Sequence, residues 1–286
     1  QTLLGTRQLV YLSTSSAWGV MEGALRNLTQ KKVLNCMKGA FSDKWLDVAK
    51  RCGKDAEALQ VSWGSPIRAE DVDKKLATGQ FDSLTLIHNE TSTGTMSPVA
   101  EIAALKAKYP DVMFIVDAVS SMTAVPLNFD ALGIDVLLAG TQKAFALPPG
   151  LTVFTCSTAA LAKAATAKDR GYYFDFVEMK AFADKNQTPC APDVSLIYGL
   201  KHQLDHAIAF ALDQLVGLAK HAENRHAVHA ASARELGQPP EAGLVDRPLR
   251  RKRGGRNVVD TRQVFKHHFA SGNFSTRLVT GLRVRR

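Results

Sequence analysis

The chain has 286 residues, of which 45% are hydrophobic and 22% charged, and its formal net charge is +9 at pH 7. These values are typical of a globular protein whose core needs no disulfide or metal, and no run approaches the ~20 apolar residues of a membrane span. The four cysteines have no regular spacing and the N-terminus lacks a secretory-signal pattern, so we expect a cytoplasmic protein with free thiols and no membrane partner.

The positive charge is concentrated at one end of the chain. Residues 245–286 contain twelve Lys/Arg and two Asp/Glu, so this segment carries +10 and the preceding 244 residues carry −1. The body of the protein is therefore neutral, which argues against nucleic acid as its partner. Only the basic tail could bind an acidic partner through charge alone.

Short apolar runs alternate with helical patterns along the first half of the chain. The predicted strands are 9–12, 32–35, 58–63, 83–87, 114–116, 134–139 and 151–154, and the predicted helices are 20–28, 43–52, 68–78, 99–109 and 159–168. This alternation indicates an α/β fold with a mostly parallel central sheet that binds ligands at the carboxyl ends of its strands. The sequence contains neither GxGxxG nor a Walker motif, which argues against a dinucleotide or ATP enzyme.

The first predicted strand ends in small hydroxyl residues that lead into a helix. Ser16, Ala17 and Trp18 stand at this junction, where backbone N–H groups and the helix dipole favour an anion such as a phosphate. A Ser/Thr-rich helix cap without any ligand produces the same pattern. The sequence by itself leaves both interpretations open.

Two later strands end in an acid and an amine. One apolar run leads to Asp117, and another leads to Gln142 and Lys143 just before a Pro-Pro-Gly break. This pair suits pyridoxal phosphate, because a lysine forms a Schiff base with its aldehyde while a carboxylate keeps its ring nitrogen protonated. Either residue alone could be an ordinary strand-end lysine or a cap.

The segments DAVSS (117–121) and GIDVLLAGTQKAFALPPG (133–150) resemble the class V aminotransferases, a family of fold-type I pyridoxal-phosphate enzymes. Within that family the chain resembles the alanine–glyoxylate, serine–glyoxylate and phosphoserine aminotransferases. The resemblance implies a cofactor-binding large domain at 1–200 and a connecting helix at 201–237. Beyond Gly237 the resemblance fails, and the scattered arginines, low acidity and weak periodicity of 238–286 predict a truncated or atypical small domain. Family members also have a further N-terminal segment, which we expect to be missing here.

The resemblance assigns roles to individual residues. Lys143 and Asp117 would be catalytic and also bind the cofactor, and the other cofactor-binding positions would be Ser16, Ala17, Trp18, Phe41, Thr91, Val119, Gln142 and Thr188. Phe41 would stack on one ring face, although a core phenylalanine is the alternative, and Val119 would lie against the other face. Thr188 would reach the phosphate bound by a second subunit, which implies a homodimer with shared sites.

Three further features bear on the type of reaction, on the choice of acid/base and on metal binding. Gln142 favours transamination, because the desulfurases of the family have histidine before the lysine. His88 could be an acid/base or a structural hydrogen-bonding residue. The helical pattern from residue 194 contains histidines whose spacing could place pairs on one face as metal ligands, but no Cys or carboxylate completes a recognisable zinc pattern, so we predict a solvated helix and no metal site; they are His202, His206, His221, His226 and His229.

The sequence therefore predicts a pyridoxal-phosphate-dependent aminotransferase of small-molecule substrates, with a connection to serine metabolism. It would move an amino group between phosphoserine, serine or alanine and a 2-oxo acid such as 2-oxoglutarate, glyoxylate or pyruvate. The alternative is a catalytically weak cofactor-binding protein whose basic tail binds acidic partners or nucleic acid. Arg277 is the nearest candidate for the arginine that binds the substrate carboxylate.

Overall fold

The computed structural model describes residues 1–206, and the elements given below belong to that part of the chain. The strands are β1 (Val10–Ser13), β2 (Lys32–Met37), β3 (Asp55–Gln60), β4 (Ser83–Ile87), β5 (Met113–Asp117), β6 (Val136–Gly140) and β7 (Thr152–Cys156). The α-helices are α1 (Ala17–Leu28), α2 (Ala40–Arg51), α3 (Ala69–Leu76), α4 (Val99–Ala103), α5 (Phe129–Leu132), α6 (Thr158–Thr166) and α7 (Phe176–Ala183). Residues 194–206 are also helical.

The seven described strands form one sheet with the order β1-β7-β6-β5-β4-β2-β3. Strands β2 to β6 pair in parallel, whereas β7 is antiparallel to both β6 and β1. Because two antiparallel pairings restore the original direction, β1 points the same way as β6. The carboxyl ends of β1, β2, β4, β5 and β6 therefore meet at one edge. The predicted α/β fold with a mostly parallel sheet is confirmed.

Helices cover both faces of the sheet. Helices α1, α2, α6 and α7 pack on one face, where Leu25, Trp45 and Phe176 are buried. Helices α3 and α4 pack on the other face, where Val72 and Ile102 are buried. Every residue of β4, β5, β6 and β7 is buried, as expected for strands covered on both sides.

Two partly buried ion pairs join elements at the amino-terminal edge of the sheet. Asp82 pairs with Lys163 at 2.8 Å and accepts hydrogen bonds from the backbone N–H groups of residues 30–32. Asp135 pairs with Lys106 at 2.6 Å. Each carboxylate thus joins a strand start to a neighbouring element, at the edge opposite the predicted site.

Two predicted elements have different bounds in the structure. The strand predicted at 58–63 lies at Asp55–Gln60, because β3 is an edge strand whose position follows its pairing with β2 rather than its apolar run. An ion pair of 2.8 Å between Lys32 and Glu57 belongs to this pairing. The helix predicted from residue 43 already begins at Ala40, so that Phe41 lies in the first turn of α2.

The C-terminal part of the predicted domain organisation is not covered by the described residues. The connecting helix predicted at 201–237 lies mainly outside them, and the segment predicted at 238–286 lies wholly outside them. Among the described helices, none combines the length and the apolar character needed to cross a bilayer.

Candidate active site

A cavity that is open to solvent lies at the carboxyl edge of the sheet. Its lining comes from segments that follow β1, β2, β4, β5 and β6, and it consists of Ser16, Ala17, Trp18, Met21, Phe41, Ile87, Asn89, Thr91, Asp117, Val119, Ser120, Gln142 and Lys143. The structure thus brings together all the predicted cofactor-binding residues except Thr188.

The N-terminus of α1 faces this cavity. Ser16 is its N-cap with an extended backbone (φ −67°, ψ 159°), and its side chain makes no capping hydrogen bond within residues 1–206. The first turn of the helix contains no acidic residue. The helix end therefore offers N–H donors and the positive end of its dipole to the cavity without a competing carboxylate.

Asp117 ends β5 and is only 4% exposed. Its Oδ1 accepts a hydrogen bond from the backbone N–H of Val119 at 2.9 Å, and its Oδ2 accepts one from the indole Nε1 of Trp45 at 3.4 Å. Burial raises the pKa of Asp117 to about 6, although both hydrogen bonds act in the opposite direction. The site thus contains a buried carboxylate that two donors help to keep ionised at neutral pH.

Lys143 and Gln142 follow β6 and are exposed to the cavity. The loop that carries them is anchored by Thr141, whose backbone N–H donates to Leu151 O at 3.0 Å and whose hydroxyl donates to Pro148 O at 2.9 Å. A Cβ at position 140 would meet the carboxamide end of the exposed Gln142 side chain, which would have to move aside. The anchoring holds the amine at the sheet edge while leaving its end accessible.

Phe41 and Thr91 form two further walls of the cavity. Phe41 is 43% exposed, so it belongs to the cavity wall rather than to the core, which was the alternative. The hydroxyl of Thr91 contacts the hydroxyl of Ser120. Stacking of Phe41 on a ring remains a prediction.

Some residues of the site were missed by the sequence analysis. Ser120 lies within the DAVSS segment, but no role was predicted for its hydroxyl. Asn89 lies two residues before the predicted site residue Thr91, and no role was predicted for it either. Trp45 has the helical spacing of a core residue and is 1% exposed, yet its N–H reaches Asp117. Spacing identifies such a residue as buried, but it does not identify the polar atom that the side chain contacts.

His88 lies behind the cavity and is not among its lining residues. It is buried, and its Nδ1 forms a hydrogen bond of 2.8 Å with the Ser121 hydroxyl. Burial, together with the nearby positive charge of Lys38, lowers the pKa of His88 to about 4. A neutral imidazole that is held in this way fits the structural alternative rather than the acid/base one.

Thr188 lies in a separate, smaller depression with Thr14, Tyr173 and Cys190, where its hydroxyl donates to Cys190 O at 2.8 Å. Arg277 and the last three of the five histidines are outside the described residues. Within residues 1–206, no three His, Cys, Asp or Glu side chains are grouped in the manner of metal ligands.

Comparisons with known proteins agree on one family. The family model described as Aminotransferase class-V matches residues 16–271. An L-aspartate–glyoxylate aminotransferase of Paracoccus denitrificans is 32% identical over 238 residues, which are 81% of this chain and 59% of that protein. A serine–glyoxylate aminotransferase of Arabidopsis thaliana is 30% identical over 229 residues, which are 78% of this chain and 56% of that protein.

A solved structure shows the same fold. The alanine–glyoxylate aminotransferase of a Nostoc species superposes with a TM-score of 0.67 at 26% identity, covering 71% of this chain and 55% of that one. The chain therefore spans a little more than half of the length of the relatives that it matches.

Proposed function

The chain belongs to the class-V aminotransferase family, and from this premise we propose that it transfers an amino group between a small amino acid and a 2-oxo acid. The cofactor of the family is pyridoxal phosphate. The observation that carries the proposal is that the amine of Lys143 and the buried carboxylate of Asp117 line one cavity together with the uncapped N-terminus of α1. Phosphoserine, serine and alanine are the donors that we propose. Glyoxylate is the first choice of acceptor, because the names of all three relatives contain it.

The residues of the cavity fit pyridoxal phosphate. The N-terminus of α1 at Ser16 would hold the phosphate, and Gln142 would donate a hydrogen bond to it. Phe41 and Val119 would hold the two faces of the ring. Asp117 would hold the ring nitrogen in its protonated form. When bound, the cofactor supplies an aldehyde that condenses with amines and a ring that accepts electrons.

Lys143 would act in two ways in this site. Its amine would hold the aldehyde end of the cofactor until an amino donor takes its place, and the released Nζ would then accept the proton from the donor's α-carbon. The anchored loop keeps the amine at the cavity, because Thr141 fixes the backbone just before it. The exposed position of Lys143 leaves the Nζ free to move between these two tasks.

We further propose that the chain works as a homodimer in the cytoplasm. Thr188 lies outside the cavity of its own chain, which supports a contact with the phosphate in a second subunit. Tyr172 and Tyr198 are 78% and 62% exposed, and large aromatic side chains of this kind are enriched in protein interfaces. The free cysteines, of which Cys36, Cys52 and Cys156 are buried, fit a reducing compartment.

The test is a titration of the purified protein with pyridoxal phosphate, followed by absorbance near the visible edge. We expect a band that is absent in Lys143→Ala and present in Lys74→Ala, since Lys74 is 77% exposed on α3 and pairs with Asp71. Phosphoserine, serine, alanine and aspartate are then screened for bleaching of the band, and glyoxylate, pyruvate and 2-oxoglutarate for its return. A band that no donor bleaches would favour the catalytically weak alternative.

A further inference from the structure

Glu90 is a buried carboxylate that lies behind the cavity rather than on its surface. It follows β4, between the cavity residues Asn89 and Thr91, and its side chain is fully buried. Burial by itself raises the pKa of a carboxyl, but the hydrogen bonds from Ser42 and Ser92 outweigh burial and hold the pKa of Glu90 below its ordinary value. A buried anion of this kind depends on its hydrogen-bond donors.

The first set of donors comes from the N-terminus of α2. Its N-cap Gly39 has no side chain that could accept hydrogen bonds, so the first N–H groups need acceptors from elsewhere. The N–H of Ser42 donates to Glu90 Oε2 at 2.9 Å, and the N–H of Phe41 donates to Oε1 at 3.4 Å. A carboxylate at this position also interacts favourably with the helix dipole. Glu90 therefore fixes the turn that carries the aromatic cavity wall.

The second set of donors comes from the segment that contains Glu90 itself. Ser92 donates to Oε1 through its N–H at 3.1 Å and through its hydroxyl at 2.8 Å. The same hydroxyl accepts a hydrogen bond of 3.0 Å from the N–H of Ala40 in α2. The N–H of Gly94 donates to the backbone carbonyl of Glu90 at 2.8 Å. These bonds close the turn that presents Thr91 to the cavity.

Gly39 permits the close approach of these two segments. A Cβ at this position would lie 2.5 Å from Cγ of Glu90 and 2.6 Å from Oγ of Ser92, which is too close for any side chain. Its φ of 171° is ordinary extended backbone, so the requirement is for space and not for an unusual conformation. The missing side chain lets the end of α2 lie directly on the carboxylate.

We propose that Glu90 is a positioning residue that ties the Phe41 turn (residues 39–42) to the Thr91 turn (residues 90–95), two walls of the cofactor cavity. Loss of the carboxylate loosens both turns together, although Glu90 itself does not line the cavity. The link between the turns stands on the hydrogen bonds alone. The expected consequence of losing this link, a lower affinity for the cofactor, rests on the proposed function.

The experiment compares Glu90→Gln with Asp82→Asn. Glutamine has nearly the size of glutamate, but it has one acceptor oxygen and an NH₂ group that opposes the N–H donors. Asp82 is the matched control, because it is also a buried carboxylate with several backbone N–H donors, at the opposite edge of the sheet. Hydrogen exchange of the cofactor-free protein is measured over residues 39–42 and 90–95, and the Kd for pyridoxal phosphate is measured by absorbance titration.

We expect Glu90→Gln to accelerate exchange in both turns and to raise the Kd, each by about tenfold, because charged hydrogen bonds are lost on both sides. Asp82→Asn should lower the melting temperature but change neither the hydrogen exchange of the two turns nor the Kd. Acceleration in one turn only, or in neither, overturns the proposal, and so does an unchanged Kd beside accelerated exchange.

Two other outcomes are a Glu90→Gln variant that fails to fold and a wild-type protein that does not bind the cofactor. If Glu90→Gln fails to fold, Ser92→Ala removes a single hydroxyl that bonds both Glu90 and Ala40, and about threefold changes in the same two readouts are then expected. A wild-type protein that binds no pyridoxal phosphate overturns the proposed function instead. In that case the exchange data still decide whether Glu90 links the two turns.

Discussion

The indole Nε1 of Trp45 donates a hydrogen bond of 3.4 Å to Oδ2 of Asp117. Trp45 lies one turn beyond Phe41 in α2 and is 1% exposed. The helix that carries an aromatic cavity wall therefore also contacts the carboxylate at the end of β5. Hydrogen bonds to a carboxylate favour its ionised form, whereas burial favours its neutral form, so Trp45 helps to set the charge of Asp117.

Replacing Trp45 by phenylalanine removes this N–H and keeps an aromatic ring in the core. We expect the pKa of Asp117 in the cofactor-free protein to rise from about 6 to about 7, because a hydrogen bond to a charged group contributes about 1.5 kcal/mol. Carbon-13 NMR of labelled aspartate carboxyls measures this change. Trp63→Phe is the matched control, since the exposed Trp63 donates to Asp43 at 3.1 Å. An unaltered Asp117 titration in Trp45→Phe would contradict the role of Trp45.

The raised pKa of Asp117 also predicts how stability depends on pH. The carboxyl titrates near 3.8 when unfolded and near 6 when folded, so the folded state favours the protonated form. This contribution of about 3 kcal/mol is fully present below pH 3.8 and is lost as the pH rises through 6. Asparagine at position 117 cannot ionise. We therefore compare the free energy of unfolding of the wild type with that of Asp117→Asn in urea titrations. The difference, wild type minus variant, should decrease between pH 4 and 6. A difference that does not change with pH would refute the raised pKa of Asp117.

The sequence could locate the cavity because its residues follow strands. Asp117 and Lys143 each come after a short buried apolar run, and parallel pairing brings such positions to one edge of the sheet. Ser16 joins them because β1 runs in the direction of β6. That direction depends on two antiparallel pairings with β7, which no local pattern predicts.

The supporting contacts could not be predicted, because they join residues that are distant in the chain. Glu90 reaches Ser42 across 48 residues, and Trp45 reaches Asp117 across 72 residues. Apolar periodicity predicts which side chains are buried, but it contains no information about the partner of a buried polar atom. Most of the wall residues were therefore predictable, whereas the residues that hold the walls were not.

Lys38 provides a second pH-dependent prediction. It is 1% exposed, and its Nζ donates to Thr95 O at 2.9 Å and to the Ser97 hydroxyl at 2.6 Å. Burial lowers its pKa from 10.5 to about 8, against the attraction of Glu90. Because the folded state disfavours the charged amine, stability should rise by up to about 3 kcal/mol between pH 8 and 10.5.

Lys38→Met tests this dependence on pH. Methionine fills a similar volume but cannot titrate or donate, so the rise in stability between pH 8 and 10.5 should disappear. At pH 7 the variant should lose about 1–3 kcal/mol, because buried carbonyls lose a donor. Chemical unfolding at several pH values measures both effects. The same rise in wild type and variant would mean that other groups cause it.

Ser16→Asp separates two effects at the N-terminus of α1. Aspartate is a favourable N-cap, and the Ser16 side chain forms no capping bond within the described part of the chain, so the cofactor-free variant should gain about 0.5–1 kcal/mol of stability. The same carboxylate would repel the cofactor phosphate and raise the Kd at least about tenfold. Calorimetry and absorbance titration measure the two effects, and Ser16→Ala controls for loss of the hydroxyl. A more stable variant with unchanged affinity would show that the phosphate binds elsewhere, because repulsion at this helix end is unavoidable.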